Sequence, residues 1–339
     1  MKKILYIGGN GNISWHCVQE SINSGHEVYI LNREETLLTR REIQPNIIKL
    51  KSDIRNIENT KKTINNIIFD CVIDFICYNE EHAKNDLNLF KNNTKQFIFI
   101  STVSVYKKET KYLPYKENSP KDINSKYSYA YNKIKAENTF IEAYKNYGFP
   151  ITIVRPANTY DTIIPVSVGH NCFTVPQRCL DGKPILIAGD GTSLCTMMHS
   201  KDFAKAFNYL VCNYDLIGEE INISGDELLT WIDISKYLLE ALNIKNTDFI
   251  HIPANDLINI NISISDNLKN SACFGNGVMS ERIYCNIFDN SKIKSIAKNW
   301  KQSISFKKGI RDTINWMFEK NIRRRFNNEL DSILDSLIK

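Results

Sequence analysis

At 339 residues the chain exceeds what one hydrophobic core usually serves, so a large domain with a smaller partner is expected. Apolar residues make up 42%, but no stretch approaches the ~20 consecutive apolar residues of a membrane helix, which argues against a membrane protein. The net charge of +5 is too mild to argue for a nucleic acid or other polyanion, and nine scattered cysteines lack the paired spacing of a zinc site or a disulfide framework.

Met1-Lys2-Lys3 leads into the short apolar run Ile4–Ile7, too brief for a secretory signal. A reducing cytoplasmic setting is therefore expected, with no metal site. The run reads as a first strand. Gly8-Gly9-Asn10-Gly11-Asn12-Ile13-Ser14 follows it and opens a helix. In such a turn Gly8 permits the tight bend, and Gly11 lets the backbone approach a pyrophosphate at the helix amino terminus. Ser14 stands where a third glycine is usual.

A second strand, Val28–Leu31, ends at Asn32-Arg33, roughly twenty residues after the glycines, where a ribose contact is expected. An acid there would grip the 2′-hydroxyl of NAD. Asn32 has no charge and Arg33 could pair with a 2′-phosphate, so NADP is favoured over NAD. After a third strand, Ile47–Leu50, Asp53 is placed to receive the adenine amino group, with Ile54 beside it; an exposed turn aspartate would look the same. Gly8, Gly11, Asn12, Ile13, Asn32, Arg33, Asp53 and Ile54 are thus the expected cofactor contacts, together with Lys133.

Val72–Ile76 and Phe97–Ile100 continue the strand series, and Ser101-Thr102-Val103-Ser104 follows the latter. Thr102 could donate a hydrogen bond to a reacting oxygen. Tyr129-Ala130-Tyr131-Asn132-Lys133 begins a helix running to about Tyr147, and the i, i+4 spacing puts Tyr129 and Lys133 on one face. A nearby ammonium favours the phenolate, so Lys133 could lower the Tyr129 pKa while holding the nicotinamide ribose. Ile151–Val154 is the next strand. Continuous apolar strands alternating with helices indicate a parallel sheet covered on both faces. The fold class is therefore α/β, a Rossmann-type doubly wound parallel sheet with a smaller mixed C-terminal substrate-binding lobe.

After Pro156 the pattern turns to loops. The helix-like Asp202–Val211 and strand-like Ile221–Ile223 could return to the sheet, and helices are expected near Ile232–Leu242 and Gly309–Phe318. The division expected is residues 1–160 with 200–224 as the dinucleotide-binding domain, and 161–199 with 225–339 as the substrate lobe. His170 and Cys172 fall in the expected substrate loop, where an extra acid/base pair for epimerisation could reside, with loop packing as the blander role. Arg323-Arg324-Arg325 reads as a solvated helix face. His199 beside Asp202 resembles an acid–base pair but reads as structural.

Taken together, these blocks resemble the extended short-chain dehydrogenase/reductase family, its NAD-dependent epimerase/dehydratase group, over about Lys2 to Phe318. Gly11–His16, Gly25–Val28, Ser101–Tyr106, Tyr129–Lys133 with Glu137, and Arg155-Pro156-x-Asn158-x-Tyr160 match in the family's order. The resemblance implies Tyr129 as acid/base, Lys133 as its electrostatic partner, Thr102 as the substrate-orienting hydroxyl, and a homodimer formed through a helix bundle. It implies a sugar or sugar-nucleotide substrate, with Ser104, Asn158, His170, Cys195 and Arg282 as candidate contacts.

Two departures narrow the activity. Sugar-nucleotide dehydratases of this family carry Asp-Glu where Val103-Ser104 stand, so reduction or epimerisation is favoured over dehydration. A diphosphate-binding arginine is replaced by Cys195, and Arg282 is the nearest candidate for a second one. The competing class is a cofactor-binding protein without turnover, associated with RNA or a regulatory partner.

Overall fold

The computed structural model describes residues 1–33, 41–42, 45–170, 172–260 and 273–338. Seven parallel strands form the main sheet: β1 (Lys3–Ile7), β2 (Glu27–Asn32), β3 (Ile48–Lys51), β4 (Cys71–Asp74), β5 (Phe97–Ile100), β6 (Ile151–Pro156) and β10 (Glu220–Ile223). Their order is β10-β6-β5-β4-β1-β2-β3. The order reverses between β1 and β4, and ligands of such sheets bind beyond the carboxyl ends of the strands at that point.

The strands read as unbroken apolar runs because both faces are covered. Along β1, Ile4 and Tyr6 pack with Cys17 and Phe203, while Leu5 and Ile7 pack on the other face with Phe90 and Phe140. This two-residue alternation assigns helices α1 (Ser14–Asn23) and α6 (Ser200–Phe207) to one side. It assigns α3 (Glu80–Phe90) and α4 (Ser128–Tyr147) to the other, with α2 (Ile57–Thr63) beside α3. No described helix is long and apolar enough to cross a membrane.

The second core gathers Tyr160, Trp231, Phe274, Phe306 and Leu330. It is built on β7 (Asn158–Tyr160), β9 (Leu194–His199) and β11 (Leu228–Thr230), on the parallel pair β8 (Ile185–Ala188) and β12 (Phe249–Ile252), and on α5 (Thr174–Leu180) and α7 (Trp231–Ala241). The chain does not stay in this lobe after residue 225 as expected: Ile293, Ala297 and Trp300 pack into the sheet's layer beside Phe203 and Ile221.

Local differences from expectation have local causes. The strand expected to reach Ile76 stops at Asp74, whose carboxylate accepts the Ile76 N–H and bends the chain out of the sheet. The last long helix spans Phe306–Phe318, not Gly309–Phe318, because Ser305 caps the Lys308 N–H. Helix α6 starts at Ser200, capped by His199, and ends at Phe207.

Candidate active site

The glycine turn is shaped by contacts on both sides. Gly8 has φ +77°, and a Cβ there would lie 2.8 Å from Ile76 Cγ2. The residue at the usual third-glycine position does more than fit. Ser14 Oγ donates to the Gly8 carbonyl at 2.6 Å and accepts the Gly11 N–H at 2.8 Å, so the serine fastens the turn across its base. The Asn12 amide accepts the Thr162 N–H at 3.0 Å and donates to the Thr159 carbonyl at 3.3 Å, tying the turn to the chain that enters the second lobe.

This turn opens into a cavity of about 660 Å³, lined by Gly8, Gly11, Asn12, Ile13, Asn32, Arg33, Asp53 and Ile54, all expected there, and by Arg55, Tyr78 and His82, which were not. Asn32 Nδ2 is buried without a hydrogen-bond partner, a donor that a bound acceptor would satisfy. The unbranched glycine cradle and this orphaned donor at the end of β2 fit the phosphates and ribose of a dinucleotide. Asp53 Oδ1 accepts the Arg55 N–H at 2.9 Å, so part of that carboxylate serves its own turn.

Tyr129 and Lys133 lie one turn apart on α4. Lys133 is 2% exposed, and its ammonium donates to the carbonyls of Cys77 at 2.8 Å and Ile100 at 2.7 Å. Burial pulls its pKa down to about 8. The Tyr129 phenol is pushed up by burial, opposed by its hydrogen bond with Thr102. The expected depression of Tyr129 by Lys133 is not seen. The ammonium sits 6.0 Å from the ring centroid and is engaged by backbone oxygens.

Helix α4 is anchored by Glu137, which takes Ser101 Oγ at 2.6 Å and Lys121 at 2.6 Å, and by Arg155 from β6, which reaches Tyr106 OH at 2.8 Å. The conformation of the Ser101–Tyr106 strand end follows from this network.

Thr102 Oγ1 and Ser104 Oγ are 3.0 Å apart, and Ser104 Oγ donates to the Glu281 carboxylate. Glu281 lies in a π-type turn, Met279–Ile283, of the other lobe. Sequence reasoning missed it, and nothing near Glu281 in sequence signals it. The strand end that lacks acids at 103–104 therefore receives one from 177 residues away.

The remaining candidates are dispersed. Asn158 pairs with Met197 in the three-stranded sheet. His170, Cys172 and Arg325 line a second cavity of about 750 Å³ that meets the first at Asn12 and Ile163. Cys195 is 1% exposed, with its thiol against the Leu229 carbonyl, and faces the core instead of a diphosphate cleft. Arg282 is buried near it, stacked 4.1 Å from the Trp231 ring and donating to the Ser167 carbonyl.

The Arg323–Arg325 run is not a solvated helix face. Arg323 stacks on Trp316 at 4.1 Å and Arg324 on Phe318 at 4.9 Å. His199 does not pair with Asp202, which caps Ser303 and Ile304. With His16 it faces Asp161, the one His/Asp grouping of metal-ligating spacing among the described residues. His199 Nδ1 accepts the Lys201 N–H, which leaves the proton of a neutral ring on the Nε2 that faces Asp161, and Arg41 already holds that carboxylate with two donors. This arrangement is a buried polar anchor, not a metal site.

A parallel sheet with this switch-point cavity and a Tyr-x-x-x-Lys helix defines a nucleotide-binding enzyme fold of the short-chain dehydrogenase type. The chain belongs to the NAD dependent epimerase/dehydratase family, whose sequence model matches residues 4–224. It is 23% identical over 340 residues to a UDP-N-acetyl-alpha-D-glucosaminuronate decarboxylase of Bacillus cytotoxicus, covering 94% of this chain and 98% of that one. It is 24% identical over 260 residues to the chloroplast stem-loop binding protein of 41 kDa b of Arabidopsis thaliana, covering 74% of this chain and 66% of that protein. Among solved structures it resembles epimerase Mth375 of Methanothermobacter thermautotrophicus, with a TM-score of 0.72, 17% identity and 96% and 95% coverage of the two chains. It also resembles a UDP-glucuronic acid 4-epimerase of Bacillus cereus in complex with UDP-glucuronic acid and NAD, with a TM-score of 0.69, 19% identity and 94% and 99% coverage.

Proposed function

We propose that this protein is an NAD(P)-dependent oxidoreductase or epimerase acting at a secondary alcohol or ketone of a sugar or sugar nucleotide. The observation that carries the reading is Tyr129 on the helix that also holds Lys133, with Thr102 presented to it from the end of β5, beside a cavity with a glycine cradle. The nicotinamide supplies hydride transfer when bound. Tyr129 exchanges the proton of the reacting oxygen, and Thr102 orients that oxygen. Lys133, which donates to the Cys77 and Ile100 carbonyls, would hold the nicotinamide ribose and favour the phenolate.

Gly8, Gly11, Asn12, Ile13, Asn32, Asp53 and Ile54 hold the cofactor, and Arg33 on the cavity wall favours a 2′-phosphate, hence NADP. The NAD of the Bacillus cereus epimerase complex is the alternative that a titration distinguishes. Reduction or epimerisation is preferred to dehydration because elimination uses two adjacent acids at 103–104. Here one carboxylate, Glu281, approaches, and it is engaged by Ser104. A nucleoside diphosphate would require Arg282 to release the Ser167 carbonyl, since Cys195 offers no charge. Ser104, Asn158 and His170 remain proposed substrate contacts. Cytoplasmic location and a homodimer formed through a helix bundle also remain proposals of the family resemblance.

The test is to purify the protein, add NADP or NAD with UDP-, GDP-, CDP- and dTDP-sugars in turn, and follow nicotinamide absorbance. A change with one sugar nucleotide or free sugar is expected. Tight cofactor binding with no change across the panel would favour the reading without turnover, which the stem-loop binding relative's name keeps in view.

A further inference from the structure

An anionic ligand in a cleft needs a cation or a set of donors, and the two positions where one was expected do not offer it. Cys195 faces the core, and the Arg282 guanidinium is stacked on Trp231 and bonded to the Ser167 carbonyl. An uncommitted cation lies elsewhere. Arg325 lines the second cavity, and its guanidinium meets no acid or acceptor among the described residues. Arg323 lines the same cavity, its side chain 9% exposed and its Nε buried without a hydrogen-bond partner. Glu329 is the one acid among the described lining residues, so the two arginines leave an excess of one positive charge. Burial pulls the His170 pKa down, so that ring brings hydrogen-bonding atoms and no charge at neutral pH.

The wall that carries Arg325 is fixed at several points. The Arg325 carbonyl accepts the Phe173 N–H at 3.0 Å, and the Asn327 N–H donates to Thr174 Oγ1 at 2.8 Å. Asn327 then caps the Leu330 N–H at 3.0 Å and opens the C-terminal helix Asn328–Ser336, whose Leu330, Ile333 and Leu334 enter the second core. Arg178 and Lys183 fasten that helix through Asp335, at 2.7 and 2.8 Å. Asn328 lies on the cavity wall at the amino end of the helix, where aligned peptide dipoles favour negative charge. Thr162 lines the cavity as well, and Asn12 of the glycine turn is shared with the first cavity. A donor-rich wall from residues beyond Phe318, outside the stretch that resembles the family, thus stands against the turn read as the dinucleotide's.

We propose that the second cavity is a phosphate-binding subsite, with Arg325 as its cation, Arg323 adding to the positive field, and Asn328 and Thr162 as neutral donors. Its ligand carries a phosphate or diphosphate, and a sugar nucleotide and a free phosphorylated effector are the two sources of that chemistry. The inference deepens the proposed function and rests on it only for the first of those sources. A guanidinium whose planar fork is unused matches a phosphate by two parallel N–H donors. Arg325 is available for this without rearrangement, whereas Arg282 would first have to give up the Ser167 carbonyl and its place on Trp231. A cation at residue 325 also removes the need for one at Cys195.

Cys172 is the reporter. Its thiol is half-buried, lines the cavity and lies 3.2 Å from Thr174 Oγ1, the atom that also takes the Asn327 N–H. The full chain is alkylated with iodoacetamide, and labelling of Cys172 is followed by peptide mass spectrometry, with the half-buried Cys212 as internal control. Inorganic pyrophosphate and UDP, GDP, CDP and dTDP are each titrated, first without cofactor and then with NADP added. Pyrophosphate and at least one nucleotide should protect Cys172 and leave Cys212 unchanged. Arg325 holds Phe173 through its backbone, so Arg325→Ala keeps the wall, and it should raise the half-protecting concentration about tenfold or more. Arg311→Ala, which removes the same charge from an exposed position on another helix, should behave as the parent. A nucleoside diphosphate that protects at lower concentration than pyrophosphate assigns the site to a sugar nucleotide, and one that protects no better assigns it to a free phosphorylated effector. Absence of protection by every probe, or an equal effect of Arg325→Ala and Arg311→Ala, would overturn the proposal. So would protection that vanishes once NADP is bound, because the cavity would then belong to the dinucleotide. The titrations without NADP read the cavity whether or not the chain turns over a sugar, so failure of the subsite and failure of the proposed activity remain distinguishable.

Discussion

Arg155 and Glu137 meet with both side chains wholly buried, Nε to Oε1 and Nη2 to Oε2, each at 2.8 Å. Burial alone would raise the Glu137 carboxyl, but Arg155 and then Lys121 hold it down at about 2. The pair bolts the helix carrying Tyr129 and Lys133 to strands β5 and β6. Removing one partner strands the other as a buried, uncompensated charge, so Arg155→Met should cost about 3–5 kcal/mol in urea unfolding. The depressed carboxyl adds stability that is present above its unfolded pKa of about 4.3 and lost as pH falls toward 2. Glu137→Gln should flatten that acid limb. A variant as steep as the parent would remove Glu137 as its cause.

Asp74 and Asp86 face each other, both fully buried, with both Asp86 oxygens and Asp74 Oδ2 lacking any donor. Two acceptor-only groups cannot hydrogen-bond unless a proton lies between them. Burial, and then the Asp74 charge, push Asp86 well above the carboxylate range. A raised carboxyl adds stability below its unfolded pKa and loses it as pH rises through the folded value. Asp86→Asn keeps a donor and removes the titration, so it should raise Tm at neutral pH, with the gain shrinking below about pH 4. Equal Tm values for the two proteins at pH 7 would refute the shared proton.

Tyr129→Phe removes the transferable proton and leaves the ring, so cofactor binding should persist while turnover falls by roughly 10²–10⁴. Lys133→Met should damage both, because it also leaves the buried carbonyls of Cys77 and Ile100 without their donor. Cofactor binding is read by calorimetry and turnover by nicotinamide absorbance. Near-normal turnover in Tyr129→Phe would end its assignment as the acid/base.

Arg33 lines the cavity proposed for the cofactor, beside Asn32. Arg33→Ala should weaken NADP far more than NAD, since the charge-assisted contact is with the 2′-phosphate. Equal weakening in paired calorimetric titrations would show that Arg33 does not read that group.

Much of this protein was legible in local sequence. The parallel sheet followed from unbroken apolar runs, because a strand buried on both faces cannot alternate with polar residues. The turn that opens the first cavity followed from Gly8 and Gly11 directly after β1, because a tight turn at a strand end is set by neighbours in the chain. The Tyr129–Lys133 pair followed from helical spacing. Only the tertiary structure decided what each group meets across long separations. It buried Cys195, drew the Lys133 ammonium onto two carbonyls, stacked Arg323 and Arg324 on Trp316 and Phe318, and returned residues 293–300 to the sheet. It also brought Glu281 to Ser104. Hydrogen bonding and desolvation act over a few ångströms of space, whatever the distance along the chain, so no pattern in the sequence around residue 281 records the hydroxyl at residue 104.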